Sequence, residues 1–227
     1  MRSNRTLLLI AGLAAAAPAA AATPNPDRPS FSRTAFLVAE QSLELETGLQ
    51  FAPDAPIVSF LPKLGLGRLE PRVGIDVADN GLALTPGMKV GVFQKAGLAV
   101  AAHAHVGVPS YGGGLSGEAG GLVTGVLAGG QVLQANLGVR TRISDDGVQL
   151  SDMPLAALVG LPIGRRWSSF GEVVMLVDQA SSPIQLNAGA GRTITRSVIA
   201  DTALSWTPGS DTIDITAGLT ANFGPVD

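Results

Sequence analysis

Apolar and polar residues alternate along most of the chain beyond residue 40. Leu43, Leu45 and Leu49 share one face of an extended segment, whereas Glu44 and Glu46 share the other. A period of two places successive side chains on opposite faces and predicts a β-strand rather than a helix. The alternation returns in one segment after another until the end of the chain, so the pattern predicts an all-β protein.

Turn signals rich in Gly, Pro, Asn and Asp separate the alternating segments. Glycine also interrupts nearly every segment, and it costs about 1 kcal/mol in a helix interior, which further disfavours a helical fold. The pattern therefore predicts about twelve strands joined by short turns. Their expected positions are roughly 41–51, 57–65, 69–77, 82–93, 97–108, 116–127, 131–142, 148–161, 167–178, 183–193, 197–206 and 212–223.

Charge is scarce, and much of it lies on strands rather than in turns. Only 15% of the 227 residues are charged, compared with about 25% in soluble domains. A transmembrane barrel turns its apolar face to lipid and its polar face to the lumen, and closure leaves no unpaired strand edge. We therefore predict a transmembrane antiparallel up-and-down β-barrel of about 12 strands. A secreted soluble β-domain is the alternative, because aromatic residues, which form girdles on such barrels, are only 4% of the chain.

The N-terminus has the features of an export signal. Arg2 and Arg5 precede an apolar stretch, residues 7–22, that ends in small alanines typical of a cleavage site. We predict a signal peptide over 1–22 and the barrel domain over 41–227. The proline-rich region 23–40 is either an extended periplasmic leader or a small segment inside the lumen.

Composition excludes several other functions. The formal net charge of −3 argues against a nucleic-acid partner, and the absence of cysteine excludes disulfides and thiolate metal sites. No motif joins a serine nucleophile to a histidine, so we predict neither an enzyme nor a cofactor.

Polar residues on predicted strands define the expected lumen lining. They form either a charged constriction that selects solutes or a salt-bridged plug that stabilises a narrow barrel. His103 and His105 share one strand face, a spacing that suits a shared metal ion, but two ligands are too few for a stable site; the alternative is a polar hydrogen-bond network. The predicted lining residues are Glu44, Glu46, Glu70, Arg72, Asp76, Lys89, His103, His105, Arg140, Arg142, Glu172 and Asp214.

The start of the mature chain resembles a bacterial family. The stretch Asp-Arg-Pro-Ser-Phe-Ser at 27–32 and the Leu-Glu-Leu-Glu-Thr-Gly strand at 43–48 are similar to outer-membrane transporter-like proteins labelled for the meta-pathway of phenol degradation. The similarity of individual residues covers about the first 50 mature residues. The similarity of the strand pattern covers most of the mature chain. It implies a barrel of roughly twelve strands and a role in uptake of hydrophobic or aromatic compounds.

These observations predict a bacterial outer-membrane channel that contacts lipid and passes small solutes by diffusion. The alternatives are a plugged outer-membrane barrel with a structural or partner-binding role and the secreted soluble β-domain.

Overall fold

A single closed sheet of twelve strands forms the part of the chain that the structure describes. The computed structural model describes residues 24, 26–27, 30–51, 55–79, 81–109, 114–144, 147–178 and 183–224; the predicted signal peptide over 1–22 lies outside them. No helix among the described residues is long and apolar enough to cross a membrane. The strands are β1 (Leu43–Phe51), β2 (Pro56–Leu64), β3 (Leu69–Ala78), β4 (Gly81–Lys95), β5 (Leu98–Pro109), β6 (Leu115–Val126), β7 (Val132–Ser144), β8 (Gly147–Ile163), β9 (Trp167–Val177), β10 (Ile184–Thr195), β11 (Val198–Trp206) and β12 (Ile213–Phe223).

Each strand pairs antiparallel with its neighbours in sequence, and β1 pairs with β12 to close the barrel. At the closure Leu43 lies opposite Phe223 and Phe51 lies opposite Ile215. The predicted all-β, twelve-strand antiparallel up-and-down barrel is thus confirmed. Each predicted strand overlaps its counterpart, because strand period and turn chemistry are local properties of the chain.

Connections between strands are short, at two to six residues. We call the end of the barrel where Leu43 and Phe223 lie the terminal end, and the end where Phe51 and Ile213 lie the loop end. Two exposed aromatic residues mark the loop end, Phe51 and Trp206, and two mark the terminal end, Phe93 and Trp167. The few aromatic residues therefore include members at both rims, where interfacial girdles form on membrane barrels.

Burial is inverted relative to a soluble protein. The largest fully buried side chains include Lys63, Lys89 and Glu44, whereas Leu137 and Ile213 are 57% and 58% exposed. Charged side chains are rarely buried in soluble proteins unless they are paired. The inner face of the barrel is therefore the polar face, and the outer face is the apolar one.

Candidate functional site

The described residues just before β1 pack against the inner face of the barrel. We call residues 26–27 and 30–40 the inner segment. Asp27, Ser32 and Ala35 in this segment are each 4% exposed or less, and their partners are inward-facing side chains of the wall. The sequence left a periplasmic leader and a lumen segment open, and this burial favours the lumen segment.

Wall side chains satisfy the backbone of the inner segment, which has no strand partner of its own. The Glu172 carboxylate accepts hydrogen bonds from the N–H groups of Phe31 (2.8 Å) and Ser32 (2.5 Å). The Ala35 N–H donates to Thr124 Oγ1 at 2.8 Å, and the Val38 N–H donates to Glu70 Oε2 at 2.8 Å. Buried backbone donors need such partners, so these wall residues specify the path of the segment.

Lys89 secures the same segment through its carbonyl groups. Its ammonium donates to the carbonyl oxygens of Thr34 at 3.1 Å and Phe36 at 2.8 Å. Apolar packing adds to these bonds: Ala35 belongs to a buried cluster with Ala99, Ala101 and Leu122, against which Phe36 packs. Small residues on this part of the wall leave room for the segment.

Asp27 lies at the centre of a group of charges. Its carboxylate is 2.6 Å from Arg72 Nη1, 3.4 Å from Lys63 Nζ and 3.9 Å from Lys89 Nζ. Burial would raise the pKa of Asp27, but attraction to Arg72, then Lys63 and Lys89, outweighs it and holds the pKa well below its ordinary value. The carboxylate is therefore charged at neutral pH, and it anchors the inner segment to three strands.

The same three cations, Lys63, Arg72 and Lys89, also form ion pairs with carboxylates of the barrel wall. Lys63 Nζ is 3.0 Å from Glu44 and also contacts Glu46, Arg72 contacts Glu70, and Lys89 Nζ is 3.3 Å from Glu70. Strand register produces these pairs, since Glu44 lies directly opposite Lys63 and Glu70 lies directly opposite Lys89. The resulting central ion cluster consists of Asp27, Glu44, Glu46, Lys63, Glu70, Arg72 and Lys89.

A second charged group surrounds Glu118 on β6. Arg33 of the inner segment donates to Glu118 Oε1 at 2.6 Å, and Arg140 Nε donates to Glu118 Oε2 at 2.8 Å. Arg33 Nη1 also lies 3.1 Å from His103 Nδ1, and the Arg140 guanidinium stands 5.0 Å from the centre of the Phe31 ring. This group holds the middle of the segment to β5, β6 and β7.

The inner segment borders two cavities in opposite halves of the lumen. The cavity of about 350 Å³ in the loop-end half is lined by charged residues that include Arg33, Asp76 and Glu118. The cavity of about 330 Å³ at the terminal end is largely apolar, with Phe36 and Phe170 in its lining. The segment therefore lies between a polar cavity and a largely apolar one.

Most predicted lining residues meet in these two charged groups. Glu44, Glu46, Glu70, Arg72 and Lys89 belong to the central ion cluster, His103, His105 and Arg140 surround Glu118, and Glu172 binds the segment backbone. The structure does not bring the other three into either group. Asp76 lines the loop-end cavity, Arg142 is exposed near the loop end, and Asp214 is half-buried on β12 opposite Ser205.

Four important residues were not among the predicted set. Glu118 occupies an inward position of a predicted strand, so alternation alone could have identified it. The inward direction of Lys63 was not evident from the sequence, because Leu61, which is apolar, lies on the same inward face of β2. Asp27 and Arg33 lie before the first strand, where no strand period indicates their direction.

Comparison with known proteins supports the same fold. No protein-family model matches the chain, and no curated protein matches it by sequence. Among solved structures, the KdgM porin has a TM-score of 0.62 at 9% identity, covering 79% of this chain and 98% of that one. The NanC porin has a TM-score of 0.62 at 7% identity (81% and 100% covered), and an outer membrane channel from Pseudomonas putida F1 has 0.56 at 9% identity (82% and 97%). The chain thus has the fold of outer-membrane porin and channel barrels.

Proposed function

We propose that the protein is a bacterial outer-membrane channel that passes small solutes by diffusion, and that the inner segment narrows its lumen. The inverted burial is the observation that carries this proposal. An apolar outer wall suits lipid, and a charged interior suits aqueous solutes. Export by the predicted signal peptide and contact with outer-membrane lipid belong to the same proposal.

The lumen indicates what kind of solute could pass. Both signs of charge face the loop-end cavity, so strong selection for one sign is not expected. Since the terminal-end cavity is largely apolar, small solutes with one polar and one apolar part fit both compartments. This chemistry includes the aromatic compounds implied by the family resemblance. The KdgM porin, whose complex holds disordered oligogalacturonate, illustrates that barrels of this fold can bind polar solutes.

A conductance measurement tests the proposal. The mature protein is refolded, heat-shifted gel mobility establishes folding, and current is recorded across a planar lipid bilayer. We expect discrete current steps, and larger or more frequent steps when Asp27→Asn weakens the central ion cluster. The matched control is Asp76→Asn, which removes a lumen carboxylate on β3 opposite Ser59 and Ala83.

A plugged barrel with a structural role is the second candidate. The extensive bonding of the inner segment to the wall favours it. A protein that shows the heat shift but remains silent, both as wild type and as Asp27→Asn, would refute the channel and support the plugged barrel. A protein that neither shifts nor inserts would instead support a soluble β-domain.

A further inference from the structure

Three potential metal ligands converge where the inner segment meets β5 and β6. His103 and His105 project inward from β5, and Glu118 lies directly opposite His105 on β6. One ligand atom from each residue can be chosen so that all three lie within 4.8 Å of one another. His105 Nε2 is 3.5 Å and His103 Nε2 is 3.9 Å from the Glu118 carboxylate.

Two glycines create the space for the histidines. Gly120 lies opposite His103, and a β-carbon there would stand 2.7 Å from His103 Nε2. Gly87 lies opposite His105, and a β-carbon there would stand 2.7 Å from His105 Cβ. Because both neighbours lack a side chain, the two rings stack, with their centres 5.7 Å apart.

A cation already occupies this position. The Arg33 guanidinium bridges Glu118 Oε1 (2.6 Å) and His103 Nδ1 (3.1 Å). The side chain of Arg33 is 27% exposed, so it has room to move into the loop-end cavity that it lines. Arg140, which holds the other Glu118 oxygen, has Asp152 3.7 Å away as a second partner. If the two arginines move away from Glu118, Arg33 is therefore still solvated in the cavity and Arg140 still has Asp152 as an ion-pair partner.

We propose that His103, His105 and Glu118 bind a divalent transition-metal ion, such as Zn²⁺, in competition with Arg33. Two imidazoles and one carboxylate, with water in the fourth position, form a known type of zinc coordination. Zinc–ligand bonds of about 2.0–2.2 Å require ligand atoms roughly 3.3–3.5 Å apart, so modest side-chain rotation completes the site. The ion enters from the loop end, because His105 and Glu118 both line the cavities there.

Displacement of Arg33 would also loosen the inner segment, since it removes the ion pair that joins the segment to Glu118 on β6, although the Ala35 N–H still donates to Thr124 on the same strand. This consequence is separable from the proposed channel, because metal binding and segment release can be measured whether or not the barrel conducts.

The composition of the chain leaves few other residues that could bind the metal in a titration. His103 and His105 are the only two histidines, and the chain contains no cysteine. The full-length mature barrel, prepared without a histidine tag, is titrated with Zn²⁺ by calorimetry, and Co²⁺ absorption reports the coordination geometry. We expect one ion per chain. We also expect at least a tenfold loss of affinity in His105→Ala and about tenfold tighter binding in Arg33→Gln, since the metal then no longer has to displace the Arg33 guanidinium from Glu118.

Controls separate loss of the site from loss of folding. Heat-shifted mobility is measured for each variant, and His105→Gln replaces His105→Ala if the latter does not fold. Asp214→Asn removes a carboxylate far along the sheet and is expected to bind Zn²⁺ like the wild type. Absence of stoichiometric binding in the folded wild type, or equal binding after replacement of His105, would overturn the proposal.

Discussion

Replacement of Asp27 by asparagine tests whether the central ion cluster anchors the inner segment. Asparagine keeps the shape of the side chain, and its amide oxygen can still accept the Thr34 N–H, which lies 3.1 Å from Asp27 Oδ1. The substitution removes the negative charge that faces Arg72, Lys63 and Lys89. The amide nitrogen then takes the place of Oδ2, which accepts from Arg72 Nη1, so the variant removes both the charge and the Arg72 hydrogen bond.

The expected magnitude follows from the contacts. A hydrogen bond to a charged group contributes about 1.5–3 kcal/mol. All three cations keep a wall carboxylate, since Lys63 retains Glu44 and Glu46, and both Lys89 and Arg72 retain Glu70. The pair with Arg72, at 2.6 Å, is the shortest that Asp27 makes, so we count chiefly that pair and expect a loss of about 2–3 kcal/mol. Since about 1.4 kcal/mol changes an equilibrium constant tenfold, the population of molecules whose inner segment has left the lumen rises about 30- to 150-fold.

Thiol labelling measures that population. The chain has no cysteine, and Ser32 is 1% exposed, so Ser32→Cys introduces a single thiol that reacts with maleimide only when the segment leaves the lumen. When docking is fast compared with labelling, the rate follows the undocked fraction. We expect labelling of Ser32→Cys to accelerate by the factor above when Asp27→Asn is added, with no acceleration from Asp76→Asn. Equal rates with and without Asp27→Asn would refute the anchoring role of Asp27.

Three further measurements test other parts of the structure. Glu172→Gln should also accelerate labelling of Ser32→Cys, by about tenfold or more, because the two backbone N–H groups donate to different carboxylate oxygens and glutamine keeps only one acceptor oxygen, which is neutral. The pKa of folded Asp27 lies below the ordinary 3.8, so its contribution to docking is complete above pH 3.8 and is lost as the pH falls through the folded pKa. The part of the conductance that depends on Asp27 should therefore rise below about pH 4, and the rise below that pH should be smaller in Asp27→Asn. An equal rise in both proteins would assign it to other carboxylates. Leu137→Arg, in the middle of the outer face, should destabilise the folded barrel in lipid by about 2–4 kcal/mol, whereas Val148→Arg near the loop end should cost about 0–1 kcal/mol; equal costs in urea titrations would contradict a membrane-embedded outer face.

The strand pattern and its two faces were determined by the sequence alone. In β1 the alternation of Leu43 and Leu45 with Glu44 and Glu46 assigns each side chain to a face, because the strand period of two is a property of the local backbone. The low fraction of charged residues and the turn residues between strands were also evident from the sequence. Together with the alternation they were sufficient to predict the closed barrel.

Only the tertiary structure decided which charges meet. Lys63 faces Glu44 because of the register between β1 and β2, and register depends on pairing across the whole sheet rather than on either strand. The position of Asp27 among three cations depends on the inner segment folding back into the lumen, where wall side chains replace strand hydrogen bonds. Such long-range contacts leave no periodic trace in the sequence. Alternation therefore indicates which strand residues face inward, whereas the sequence left open whether the region before β1 is a periplasmic leader or a lumen segment.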